Sequence, residues 1–233
     1  GEPILLDKSV AMDEGFKKRV AELGAPIADL KAKVIGNLSA AVDGKRENCR
    51  TGECEMGNLV SDAILDRVKD QGVDLVIQNG GGLRASIDAG EVTRGEVLTV
   101  LPFQNTLATF QLKGADVIAA LENGVSQVEE VKGRFAQVAG IKYSWTRAKP
   151  AGERITSVEV MKDGKWMAID KEAVYGVASN NYMRSGGDGY KVFKANGMKA
   201  YDYGPGLDEV LADYISKNPD YKPGLDGRVS EVK

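Results

Sequence analysis

The sequence predicts an α+β fold, a mixed β-sheet with flanking helices behind a long N-terminal helix. Two observations carry this. Segments with helical spacing and segments with strand spacing are mixed along the chain rather than strictly alternating, which fits an α+β domain better than a doubly wound one. Two strand-like runs also lead straight into glycine clusters, Asn79-Gly80-Gly81-Gly82-Leu83-Arg84 and Asn180-Asn181-Tyr182-Met183-Arg184-Ser185-Gly186-Gly187-Asp188-Gly189, and strand ends are where sheets of this kind place ligands.

In chain order, Phe16, Val20, Leu23, Ile27, Leu30 and Val34 recur at steps of three and four, one stripe of a helix over residues 13 to 34. Pro26 is expected to interrupt and kink it. The stripe fits a helix packed on its own domain, the commoner case, or a connector to a partner. Met56, Leu59, Val60, Ala63, Ile64 and Val68 mark a second helix, and Asp74 to Gln78 a short buried strand. Thr93 with Glu96 reads as a capping box before Val97 to Leu101, stopped by Pro102. Thr106 to Leu112 alternates as a half-buried strand does. Helical spacing returns at Ala115 to Val125 and at Leu207 to Ile215. Between them, Ile155 to Met161 and Lys165 to Ile169 flank Lys162-Asp163-Gly164, a hairpin signal, and Val174 to Ala178 is a strand entering the second glycine cluster.

Composition narrows the function. The chain of 233 residues is 42% hydrophobic and 28% charged, with no apolar run near the roughly 20 residues of a membrane span. A net charge of -3 argues against nucleic acid as the main partner. Histidine is absent from the sequence, which removes the commonest metal ligand and general base. Cys49 and Cys54 are separated by four residues including a glycine. That spacing permits a small disulfide loop and equally two unrelated thiols; it is too poor in ligands for zinc.

The first glycine cluster lets backbone approach a ligand closely, with Arg84 as a fork for phosphate or carboxylate and Asn79 as donor and acceptor. It has neither the dinucleotide spacing nor a phosphate-loop lysine, and a surface glycine turn beside an arginine is at least as common. The second adds Asp188, a carboxylate able to grip vicinal hydroxyls, and Tyr182. With Phe103 in Leu101-Pro102-Phe103-Gln104-Asn105, two rings from distant segments could clamp a planar base, or both could be ordinary core residues.

Taken together, Cys49-Arg50 with Glu53-Cys54-Glu55-Met56-Gly57-Asn58-Leu59, then Asn79 to Arg84, Leu101-Pro102-Phe103 and Ser185-Gly186-Gly187-Asp188-Gly189-Tyr190 occur in the order seen in the C-terminal domain of the 5'-nucleotidase family. That family includes UDP-sugar hydrolases and 2',3'-cyclic phosphodiesterases. The resemblance runs from about Val34 to about Tyr190. It implies that Phe103 and Tyr182 stack the base, that Asp188 accepts from the ribose hydroxyls, that Asn79 lies near the base, and that Arg50 and Arg84 reach ribose or phosphate oxygens. Asn105 matches a base-contacting position, and Gly140 one where a strand passes the ligand. A Cys49–Cys54 disulfide is implied as well.

The resemblance also implies what this chain lacks. In the family two divalent metal ions and a catalytic histidine belong to a separate N-terminal metallophosphatase domain, joined by a linker helix. The expected organisation is therefore a linker helix region over residues 1–35 and a nucleoside-recognition domain over 36–233, with no catalytic or metal residue of its own and no hydrolysis by this chain alone. Its partners are a nucleoside or nucleotide and the N-terminal domain of the same polypeptide; its place is periplasmic or secreted. Thiosulfohydrolase-like enzymes, similar in architecture but without a base to stack, and a stand-alone nucleoside-binding module are the alternatives.

Overall fold

The leading stripe folds as α1 (Glu14–Ala32) in the computed structural model, which describes residues 3–232; residues 1, 2 and 233, the ends of the two expected segments, lie outside them. Asp13 caps α1 by accepting from the Phe16 N–H. Pro26, expected to interrupt the helix, sits inside it without ending it. No residue of α1 is buried, and Phe16 on the stripe is 75% exposed, so the stripe is not packed on this chain's own core.

The chain continues through β1 (Val34–Leu38), α2 (Arg46–Cys49), α3 (Glu55–Val68), β2 (Leu75–Asn79), β3 (Gly90–Thr93) and α4 (Arg94–Val100). It then forms β4 (Leu107–Lys113), α5 (Gly114–Val125), β5 (Ala136–Ala139), β6 (Ile141–Trp145), β7 (Ile155–Lys162) and β8 (Lys165–Ala168). Last come β9 (Val174–Asn180), α6 (Asn181–Arg184), α7 (Lys191–Asn196), β10 (Met198–Tyr201), α8 (Leu207–Lys217) and β11 (Val229–Glu231). The architecture is the mixed α and β arrangement that the sequence predicts. Thr93 and Glu96 form the expected capping box of α4. Asp163 and Gly164 both take positive φ, 50° and 76°, the primed turn that joins β7 to β8.

The central sheet has five strands in the order β10-β4-β9-β2-β5, in which only β2 and β9 run parallel. All five residues of β2 are buried, because the sheet is covered on both faces. Val76, Ala178 and Leu107 pack with α3, α4 and α8, while Leu75, Ile77, Val177 and Phe110 pack with α5, α7 and a second sheet, β11-β6-β7-β8. A continuous apolar run is what such a two-sided strand requires. A small β1-β3 pair lies apart from both sheets.

This topology gathers ends. The parallel β2 and β9 finish at the same edge, and β4 and β5, antiparallel to their neighbours, begin there. Four loops therefore open on one edge of the sheet.

Candidate functional site

The loops at that edge line a cavity of about 510 Å³. Arg50, Asn79, Arg84, Phe103, Asn105, Tyr182 and Asp188 all face it, from segments as far apart as α2 and the turn after α6. Gly140, expected beside a ligand, is not there. Its φ of 69° turns the chain from β5 into β6, against Asp74, where a Cβ would come within 2.2 Å of a carbonyl oxygen.

Phe103 and Tyr182 are 55% and 45% exposed. They are not core residues; two aromatic faces of this size left open beside one cavity are available to a planar group. The Arg84 guanidinium stands over the Phe103 ring at 5.7 Å from its centroid, within cation–π range. The Tyr182 ring lies against Gly187, where a Cβ would meet three ring atoms at 2.5 to 2.6 Å. Only glycine leaves room for it.

Asp188 occupies a left-handed conformation with φ of 51°, between Gly186 and Gly189, which are also left-handed. Such a backbone is strained for a residue with a Cβ and must be held from outside. Asn123 Nδ2 donates to its carbonyl at 3.1 Å, and its N–H donates to the Tyr182 hydroxyl at 3.1 Å. That hydroxyl in turn donates to Oδ1 at 3.1 Å, while Asn79 Nδ2 donates to Oδ2 at 2.6 Å. Each carboxylate oxygen keeps a lone pair for a further donor, which suits a pair of adjacent hydroxyls. Burial, ahead of the neighbouring Asp188, pushes the Tyr182 phenol above its usual range, so it stays a donor.

Asn79 is 3% exposed and largely spoken for by the protein. Its Oδ1 accepts from Asn180 at 3.0 Å and Gln78 at 3.2 Å, which fixes its Nδ2 toward Asp188. The structure thus places it beneath Asp188 as a support. Asn180 also caps α6 through the Met183 N–H at 2.8 Å.

At the other end stand the arginines. Arg50 is 8% exposed, yet its Nε has no hydrogen-bond partner among the described residues, and its Nη1 lies 3.5 Å from the Val131 carbonyl. Burial first, then the charges of Arg46 and Arg84, lowers its pKa; an anion would relieve both. Arg50 is carried by a loop that the Cys49–Cys54 disulfide closes. Gly80 and Gly81 run so close to Cys49 and Gly133 that a Cβ would fall 1.9 Å from the Cys49 carbonyl oxygen and 2.7 Å from the Gly133 Cα. Gly133 lines the cavity too, and it went unread because a lone glycine in a polar loop carries no signal of its partner. Asn123 and Arg134, joined at 3.1 Å, support Asp188 from behind for the same reason unseen.

Among the described residues no group of three or more histidines, cysteines or carboxylates could hold a metal. The cavity lining itself offers one carboxylate, Asp188, and no histidine, which does not fit a divalent ion pair. No described helix is long and apolar enough to cross a membrane.

The chain is 37% identical over 230 residues to the trifunctional nucleotide phosphoesterase protein YfkN of Bacillus subtilis, covering 97% of this chain and 16% of that protein. It is 31% identical to the 5'-nucleotidase of Bos taurus, covering 98% and 42%. The crystal structure of a 5'-nucleotidase precursor from Thermus thermophilus superposes with a TM-score of 0.89 at 38% identity, over 97% of this chain and 44% of that one. The chain thus spans less than half the length of each of these relatives. Residues 34–195 match the family model of the 5'-nucleotidase C-terminal domain, and with this fold and these relatives the chain belongs to that family.

Proposed function

We propose that this chain is the part of a nucleotide phosphoesterase that recognises the nucleoside of its substrate. The observation that carries the reading is that two open aromatic faces, Phe103 and Tyr182, share a cavity with a carboxylate held for two further donors, Asp188, and with a buried arginine, Arg50, that has no carboxylate partner among the described residues. In this reading the rings stack a base, Asp188 accepts from the 2'- and 3'-hydroxyls of a ribose, and Arg50 and Arg84 draw the phosphate to one end. Asn105 borders the base.

Hydrolysis belongs to an N-terminal domain carrying two divalent ions, and this chain alone is inactive. Its contribution to the rate is positioning: a nucleotide held by base and ribose presents its phosphate in a fixed direction, and orientation of this kind is worth several kcal/mol of barrier. Residues 1–35 form the linker region and 36–233 the recognition domain. The parent protein is periplasmic or secreted, consistent with a disulfide beside the site.

Calorimetric titration with adenosine and AMP tests this. Saturable binding by the wild type, weakened at least tenfold by both Phe103→Ala and Asp188→Ala, is the expected result. A wild type that takes up neither ligand at millimolar concentration would overturn the assignment.

A further inference from the structure

Three backbone groups of the loop bearing Arg50 end on one side chain. Gln137, in β5, is fully buried. Its Nε2 donates to the Cys49 carbonyl at 3.0 Å and to the Gly52 carbonyl at 2.8 Å, and its Oε1 accepts from the Cys54 N–H at 3.2 Å. Both amide hydrogens and the oxygen are thereby spent on residues 49 to 54. Gly57, at the start of α3, makes the passage: a Cβ there would stand 2.1 Å from the glutamine oxygen.

The disulfide and the glutamine do different things. The bridge closes the loop on itself but makes no bond to the sheet. Gln137 fastens the closed loop to β5, where it pairs with Gln78, one residue before the strand end that carries Asn79. Arg50 depends on such an external fix. Among the described residues it has no ion pair within 4.0 Å. Its neighbours Arg46 and Arg84 repel it while Asp188 and Glu47 attract it more weakly, so with no direct ion pair its placement rests on the loop that carries it.

We propose that Gln137 is a positioning residue for Arg50. It docks the disulfide loop so that the guanidinium faces the anionic end of a bound nucleotide, and it thereby sets the preference for a phosphorylated over an unphosphorylated nucleoside. This rests on the nucleoside reading above.

The experiment compares adenosine and AMP affinities for wild type, Arg50→Ala, Gln137→Met and the double variant, by calorimetry. Gln137→Met matches the volume, and Gln137→Asn, which keeps the amide but falls one methylene short, serves as the second variant should the first not fold by circular dichroism. The AMP-over-adenosine preference is expected to fall roughly tenfold in Gln137→Met, with adenosine affinity within about twofold of wild type and no further loss of preference in the double variant. Equal weakening of both ligands would show a merely structural glutamine and overturn the proposal. An AMP preference retained in the Gln137 variants but lost in Arg50→Ala would overturn it while leaving the nucleoside reading standing. A wild type that binds neither ligand overturns both.

Discussion

Asn79 Nδ2 donates to Asp188 Oδ2 at 2.6 Å, joining two segments 109 residues apart in the chain. The bond connects the end of β2 to the turn after α6, so the carboxylate is aimed from the sheet as well as by Tyr182 of its own segment. Asp188→Asn keeps the shape but removes one acceptor oxygen. We expect adenosine affinity to drop about tenfold or more, the worth of a hydrogen bond to a charged group. The affinity for 2',3'-dideoxyadenosine should stay unchanged. Equal losses for both ligands, read by calorimetry, would show that Asp188 does not bind the diol.

Tyr182 combines a stacking face with a hydroxyl that both donates to and accepts from Asp188. Tyr182→Phe retains the ring and is expected to weaken adenosine binding a few-fold, through looser placement of Asp188. Tyr182→Ala removes a stacking surface worth about 1–3 kcal/mol per base and should cost more than tenfold. The order Phe above Ala, established by titration, is the prediction; equal losses would place the energy in the hydroxyl alone.

The Cys49–Cys54 bridge closes a loop of sequence separation 5. Loop-closure entropy for so short a loop corresponds to about 2 kcal/mol of stability. Cys49→Ser with Cys54→Ser should lower the unfolding free energy by about that much, because Cys54 also caps α3 through the Gly57 N–H and serine can take over that role. Denaturant titration checks it, and an unmoved midpoint would refute it.

Glu129 receives two bonds from the buried Arg154 guanidinium, at 2.7 and 3.0 Å, which hold its carboxyl below the ordinary 4.5. A depressed native pKa adds stability that is complete above the unfolded value and disappears as pH falls through the native one. Glu129→Gln is therefore expected to be less stable than wild type at pH 7, by about 1 kcal/mol for a pair whose carboxylate is half exposed. The two melting curves should converge below pH 4.5 as the wild-type carboxyl protonates. A gap that widens on acidification would reverse the sign.

How far the sequence reached depends on where each signal is stored. Strand β2 was legible because Leu75, Val76 and Ile77 make the continuous apolar run that a strand covered on both faces favours, and the capping box of α4 because its two partners stand three residues apart. Strands β5 and β6 were not: the run from Ala136 to Ile141 shows no alternation, and its division falls at Gly140, whose positive φ leaves no trace in hydropathy. The stripe of α1 was legible as a helix but silent about what covers it, since amphipathic spacing records a face and not its partner. In the cavity, the lining residues other than Gly133 came from motifs, while the supports Asn123, Arg134 and Gln137 act on Asp188 and on the Cys49 loop through pairs 65 and 88 residues apart. Such long-range amide bonds have no local pattern.

The bare stripe of α1 has a thermal consequence. The helix meets the rest of the chain at its C-terminal end, where the Arg94 N–H donates to the Lys33 carbonyl at 2.9 Å and Gly95 passes close to Lys31. None of its residues is buried, and a solitary helix of this length is marginal in water. Helicity therefore decays away from that anchor, and the turns nearest Glu14 fray at temperatures where the two sheets are intact. Amide exchange should be fast at that end and slow only toward Lys33, and the ellipticity of the isolated chain should show a sloping, non-cooperative baseline ahead of one sharp transition.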